Sequence, residues 1–288
     1  MALVERQEWL APVQKTGEQF VRNAFEAGGP TGRHVKDFLH GVWLGHPLHA
    51  AITDVPIGSW TVATVLDALE ASNNDEYAPG ADAAVAIGLV GAVASAAAGL
   101  TDWSETQGGV QRVGALHGLL NVGAAALYTA SYVARKTGHR AGGRALAFVG
   151  YGVVLASAFL GGALSYTQKI GVNHSPDVDT DLPEDFIAVC RVDDLPEGQL
   201  SQQDLKGTPV VLLKRGASIK ALANQCSHLG GPLAEGQLEG DSVVCPWHGS
   251  RFCLNDGEVL NGPATTPQPA FDVKLEDGNV LIRRRTLS

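Results

Sequence analysis

Four apolar stretches, roughly 49–70, 81–101, 115–134 and 145–167, follow one another early in this 288-residue chain. Each is close to the length of about 20 residues that crosses the hydrocarbon core of a bilayer. The second, third and fourth hold almost no charge and are rich in Gly, Ala and Ser, as helices packed closely in lipid are. The alternative, a soluble bundle of buried helices, would have to cover four such segments with little chain to spare. The pattern predicts an N-terminal all-α four-helix transmembrane bundle over residues 46–168. Ahead of it, residues 1–45 read as an amphipathic, interfacial helical segment. Val13, Phe20, Val21, Ala24 and Phe25 recur at helical spacing, and Gly28-Gly29-Pro30 stops the run. A second short run holds Val35, Phe38, Leu39, Val42 and Trp43. This N-terminus does not read as a signal peptide. No internal repeat is visible beyond the pairing of helical spans.

After Tyr166 the character changes. Residues 169–185 are polar and acidic, contain two prolines and read as a linker. Residues 186–285 are short β-rich runs, such as Ile187–Val192, Val210–Lys214, Val243–Cys245 and Val280–Arg283. Asp256-Gly257 and Asp277-Gly278 are expected as hairpin turns. The fold class is therefore multidomain, with an all-β domain after the helices. Residues 171–288 carry 10 Lys/Arg against 17 Asp/Glu. That acidity argues against a nucleic-acid partner, whose phosphates need basic patches, and suits brief docking onto a basic redox protein. Four cysteines are too few for a secreted disulfide scaffold. Cys190 and Cys253 fall in strand-like runs and are expected to pack as small apolar groups.

The other two cysteines carry chemistry. Cys226-Ser-His228-Leu-Gly-Gly-Pro is followed, with 16 residues between His228 and Cys245, by Cys245-Pro-Trp-His248-Gly-Ser-Arg-Phe. Thiolate and imidazole together suit zinc or iron–sulfur. Zinc fingers usually pair Cys with Cys and His with His, whereas here each loop mixes the two. Gly230, Gly231 and Gly249 let backbone approach the bound group and aim N–H at its sulfurs. The stretch from about 184 to 285 resembles a Rieske domain from end to end. The resemblance implies a [2Fe–2S] cluster with Cys226 and Cys245 on the buried iron and His228 and His248 on the exposed one. It also matches Pro263 to the loop that covers the cluster and Ser250 to the family's serine.

The resemblance is to Rieske ferredoxins rather than respiratory subunits. Gly231 and Trp247 stand where the respiratory proteins place a bracing disulfide, and Phe252 stands where they place a tyrosine hydroxyl. One donor fewer at the cluster lowers the expected reduction potential.

The helical half has a polar set of its own: His46, His49, Asp54, Asp102, His117 and Asn121. Four spans put both termini on one side, so all six are expected toward one membrane face. Ionisable groups at that depth are costly and usually functional. A quinone pocket, haem b held by two histidines, another metal, or plain capping and helix–helix hydrogen bonding all remain open. This half resembles an uncharacterised family of four-helix bacterial membrane proteins with a His-Pro-x-His entry to the first span. Asp67 and Glu70 are expected at the interface, and His34, His40, His139 and His174 in solvent.

A Rieske centre moves one electron. With no mononuclear iron domain after Arg285 and no nucleotide-binding fingerprint, electrons must arrive from and leave to something else. The expectation is a membrane-anchored carrier serving a reductase, an oxygenase or a respiratory component. The alternatives are a membrane oxidoreductase binding quinone or haem b, and a redox sensor. The location expected is the bacterial inner membrane, multi-pass. Positive charge is balanced across the loops; the missing export signal and disulfide favour a cytoplasmic Rieske domain.

Overall fold

The structure, a computed structural model, describes residues 2–71 and 75–285. It divides into two units, one of residues up to 39 with 47–170, the other of residues 40–46 with 171 onward.

The helical unit opens with α1 (Ala2–Glu5), α2 (Ala11–Ala27) and α3 (Gly29–His40). Gly29, with φ +52°, turns the chain between α2 and α3, where the Gly-Gly-Pro stop was expected. The first apolar stretch becomes α4 (Leu48–Ile52) and α5 (Asp54–Ala71). Pro56 has no N–H to offer Ile52, and the helix is interrupted one turn earlier. The remaining stretches become α6 (Ala78–Trp103), α7 (Gly108–Lys136) and α8 (Arg140–Tyr166), each long and apolar enough to cross a membrane. The shorter α5 carries Asp54, Asp67 and Glu70 within its 18 residues. Outward positions on the long helices are apolar and exposed, among them Val90, Val93, Val122 and Phe159. This surface suits lipid rather than water.

The helices repeat themselves in a way the sequence hides. α5 packs on α6 and α7 on α8 as two hairpins. Trp60 follows His49 by eleven residues, and Tyr128 follows His117 by eleven. Asp67 and Arg135 each stand eighteen after their histidine. These pairs meet across the unit at three levels. The His49 and His117 ring centroids are 6.4 Å apart. Trp60 stacks on Tyr128 at 4.1 Å and 6°. Asp67 takes two hydrogen bonds from the Arg135 guanidinium, one at 2.7 Å. The returning helices repeat as well. Gly88 and Gly150 make room for Trp60 and Tyr128, Ser95 and Ser157 offer carbonyls to the histidines, and Gly99 and Gly161 lie against the histidine rings. Trp60 answers Tyr128 and Asp67 answers Arg135 without sharing a residue type, so the repeat is faint by residue matching.

Asp67 and Glu70, expected at the interface, lie near the C-terminal end of α5 and are covered by protein. They are 1% and 4% exposed and belong to a buried ionic network. Arg140 clasps Glu70 at 2.5 and 2.6 Å and reaches Asp82 at 2.8 Å; Arg144 reaches Glu70 at 2.8 Å. The cations at the α7–α8 turn thus tie together the ends of α5, α6, α7 and α8. Charges taken from water need such partners.

Among the described residues the other unit has ten strands: β1 (Ile187–Arg191), β2 (Leu200–Leu205), β3 (Thr208–Arg215), β4 (Ser218–Ala223), β5 (Gln237–Glu239), β6 (Ser242–Val244), β7 (Arg251–Cys253), β8 (Val259–Asn261), β9 (Phe271–Glu276) and β10 (Asn279–Arg284). They form antiparallel sheets of order β1-β10-β9, β2-β3-β4 and β5-β6-β7-β8. Asp277 and Gly278 both have positive φ, the conformation of a two-residue hairpin turn. One core gathers Leu182, Leu212, Phe271 and Ile282; a second gathers Val211, Leu233, Val243 and Phe252 around Cys226 and Cys245.

Residues 171–185 are not a free tether. Leu182 is buried in the first core, Arg284 N–H bonds the Pro183 carbonyl, and His174 N–H bonds the Ser227 carbonyl at 2.9 Å. His40, expected in solvent, is 1% exposed; it belongs with residues 40–46, which fold with this unit.

Candidate metal centre

Two loops of the β unit share one backbone plan. In the first, Gly230 N–H bonds the Cys226 carbonyl at 2.8 Å and Cys226 N–H bonds the Gly231 carbonyl at 2.9 Å. In the second, Gly249 N–H bonds the Cys245 carbonyl at 3.1 Å and Cys245 N–H bonds the Ser250 carbonyl at 2.8 Å. Each loop therefore reverses through a glycine four residues after its cysteine. Gly230 and Gly249 have φ of +80° and +76°, where a side chain would be strained. The first loop leaves β4 and the second joins β6 to β7.

The cysteine sulfurs lie together at the inner end, 1% and 3% exposed by residue. The Cys226 thiol pulls Cys245 down to about 7, with help from the Trp247 and His248 N–H groups. Sharing that proton and burial push Cys226 up, against the N–H groups of His228 and Leu229. Both sulfurs thus accept backbone hydrogen bonds, as thiolates bound to a metal need. The half-buried His228 and His248 form the outer end, with ring centroids 5.0 Å apart and planes at 89°. Gly231 has no room for a side chain: a Cβ there would meet Cys245 Sγ at 2.8 Å and Trp247 Cγ at 3.0 Å. Positions 231 and 247 therefore face one another, and all four cysteines are free.

This donor set fits a two-iron cluster. Among the described residues no three His, Cys, Asp or Glu side chains gather as for a single ion. Instead there is a sulfur pair inside and an imidazole pair outside, with space kept open by glycine. Buried Pro263 follows a cis peptide bond in a loop whose Ala264 N–H bonds Ser250 Oγ at 2.9 Å. Two supporting residues escaped the sequence reading. Gln268, 1% exposed, accepts from Ser227 N–H and donates to the Ala223 and Gln225 carbonyls. Asn224 accepts from Ala234 N–H and donates to Gln202. A buried polar residue beside a loop is their only signal, and burial is not visible before folding.

Of the six polar residues singled out in the helical half, the structure gathers three. His49 Nδ1 lies 2.9 Å from the Ser95 carbonyl and His117 Nδ1 2.9 Å from the Ser157 carbonyl. Asn121 Nδ2 lies 3.1 Å from His117 Nε2, and its Oδ1 accepts from Ser157 Oγ at 3.0 Å. Asp54 is exposed on the first turn of α5, Asp102 is at the end of α6, and His46 belongs to the other unit.

The model of the Rieske [2Fe-2S] domain matches residues 185–272, and that of a predicted membrane protein family, DUF2231, matches residues 45–174. The 3-phenylpropionate/cinnamic acid dioxygenase ferredoxin subunit of Escherichia coli K12 is 39% identical over 98 residues, which are 33% of this chain and 91% of that protein. Human apoptosis-inducing factor 3 is 37% identical over 103 residues, and the chain spans only 17% of its length. The solved ferredoxin of carbazole 1,9a-dioxygenase from Nocardioides aromaticivorans IC177 is 27% identical, over 35% of this chain and 98% of that one, with a TM-score of 0.33. With its ferredoxin-like cluster domain joined to a membrane domain of the DUF2231 kind, the chain belongs to the Rieske [2Fe–2S] family.

Proposed function

We propose that this protein is a membrane-anchored Rieske electron carrier, with Cys226 and Cys245 on the inner iron and His228 and His248 on the outer one. The observation that carries the assignment is the division of four ligands into a buried sulfur pair and an outer imidazole pair. When bound, the cluster supplies a one-electron couple. The protein's part is to hold it: the glycine turns fix both cysteines, backbone N–H groups stabilise their negative charge, and the Phe252 core keeps water from the inner end. Trp247, 55% exposed beside His248, offers an apolar contact next to the outer ligands. The net acidity of residues 171–288 suits a basic partner.

The dioxygenase ferredoxin likeness supports a reductase as donor and an oxygenase as acceptor; a respiratory component is the other partner class. The membrane helices serve to keep the carrier at the bacterial inner membrane, with the Rieske domain on the cytoplasmic side. Purified full-length protein tests the assignment. Two irons and two sulfides per chain, with a rhombic resonance on reduction, are expected; a colourless protein holding zinc without sulfide would falsify it. Trp247→Ala is expected to slow reduction by a ferredoxin reductase while leaving that resonance unchanged.

A further inference from the structure

We propose that His49 and His117 are the axial ligands of a haem iron bound in the helical unit. This proposal stands apart from the Rieske assignment. It begins with the tautomer. A carbonyl oxygen only accepts, so Nδ1 of each ring carries the proton toward Ser95 or Ser157. Each Nε2 is then a lone pair on a ring held from behind, the arrangement in which histidines ligate metals. Gly99 and Gly161 seat the rings: a Cβ at either position would meet the imidazole Cε1, at 2.7 and 3.2 Å.

The spacing fits an ion between the rings. Two metal–nitrogen bonds of about 2 Å each, plus the distance from each Nε2 to its ring centre, bring the centroids to about 6 Å. The observed separation is 6.4 Å. The pairing is also not incidental to one helix, because the two histidines are equivalent members of the helix-hairpin repeat, down to the serine carbonyl and the glycine behind each.

The ligand count selects the kind of metal. Among the described residues no third His, Cys, Asp or Glu joins this pair as a further ligand. A free zinc or copper ion would be left short of the four ligands it wants. Haem iron brings four nitrogens of its own and needs two more. An oxidised quinone fits less well, since its carbonyls need donors and both Nε2 atoms offer lone pairs. His117 Nε2 accepts from the Asn121 amide at 3.1 Å. That amide occupies the position the iron would take and must withdraw on binding. Histidines held among apolar helices are costly without such a use.

The test is titration of the full-length protein in detergent with hemin, read by the Soret and reduced α bands, with the Rieske resonance as the measure of an intact chain. One haem per chain with a bis-imidazole spectrum is expected. His49→Ala or His117→Ala should abolish that spectrum without moving the Rieske resonance. His117→Met should keep the haem, change the spectrum and raise its midpoint potential, which no structural role would produce. Asn121→Ala should tighten binding several-fold. Failure of the wild type to take up hemin overturns the proposal, as does a bis-imidazole spectrum that survives both alanine variants. A stoichiometric zinc or copper ion lost in those same variants, without hemin uptake, overturns haem in favour of a free ion.

Discussion

The molecule brings two imidazoles together at nearly right angles twice, by opposite means. In the β unit His228 and His248 sit on short loops, 5.0 Å apart at 89°. In the helical unit His49 and His117 sit on helices, 6.4 Å apart at 87°. The loop pair is fixed locally, by glycine turns and by backbone N–H groups within a few residues of each ligand. The helical pair is fixed at a distance, by a repeat whose levels register over most of the bundle's length. A site of the first kind should be sensitive to single loop residues, and one of the second kind to whatever holds the helices in register.

The sharpest way to break the comparison is at the ligands themselves. Cys245→Ala removes one sulfur of the inner pair, and no neighbouring donor replaces it. Complete loss of the cluster is expected by iron and sulfide analysis, with the helical unit still embedded in membranes. Retention of a two-iron cluster would refute the ligand assignment.

Next in size is the far end of the helical repeat. Asp67→Asn leaves the Arg135 guanidinium buried with its main partner neutralised. Breaking a buried pair from one side costs about 3–5 kcal/mol. The helical unit should therefore melt at lower temperature in detergent, while the Rieske resonance persists. The charge-exchanged double variant D67R/R135D should recover part of the loss. A single variant that melts like the wild type would mean that the ionic layer does not set helix register.

In the β unit the corresponding brace is Gln268. Gln268→Leu strands the Ser227 N–H and the Ala223 and Gln225 carbonyls, all near the first cluster loop. The expected cost is about 2–4 kcal/mol, seen as earlier bleaching of cluster absorbance in urea. Unchanged bleaching would show that the loop holds itself.

This contrast also explains what could be read from the amino acids. The Cys-x-His and Cys-x-x-His loops were legible because all their determinants lie within six residues of each cysteine. The helices were legible from apolar length, and His49, His117 and Asn121 from their polarity at depth. Which helix faces which was not, since periodicity gives a face but no partner. So Asp67 and Glu70 read as interfacial groups, and their cover by Arg135, Arg140 and Arg144 went unread. The repeat was hidden for a related reason: Trp60 answers Tyr128, and Asp67 answers Arg135, by position and not by residue type. Residues 169–185 looked like a linker because one buried leucine among many acids is a weak signal.

The smallest effect tests tuning of the loop-built site rather than its existence. Phe252 is fully buried in the core that holds Cys226 and Cys245. Phe252→Tyr places a hydroxyl in that core, where a liganding sulfur is the acceptor within the family's pattern. A donor to the sulfur stabilises the more negative, reduced cluster, so the potential should rise. One hydrogen bond of about 1 kcal/mol corresponds to a shift on the order of tens of millivolts for a single electron. Redox titration of both proteins reads it directly. A rise without change in unfolding midpoint places the new bond on the cluster. No rise, or a fall, means that the hydroxyl has turned elsewhere and that Phe252 serves packing alone.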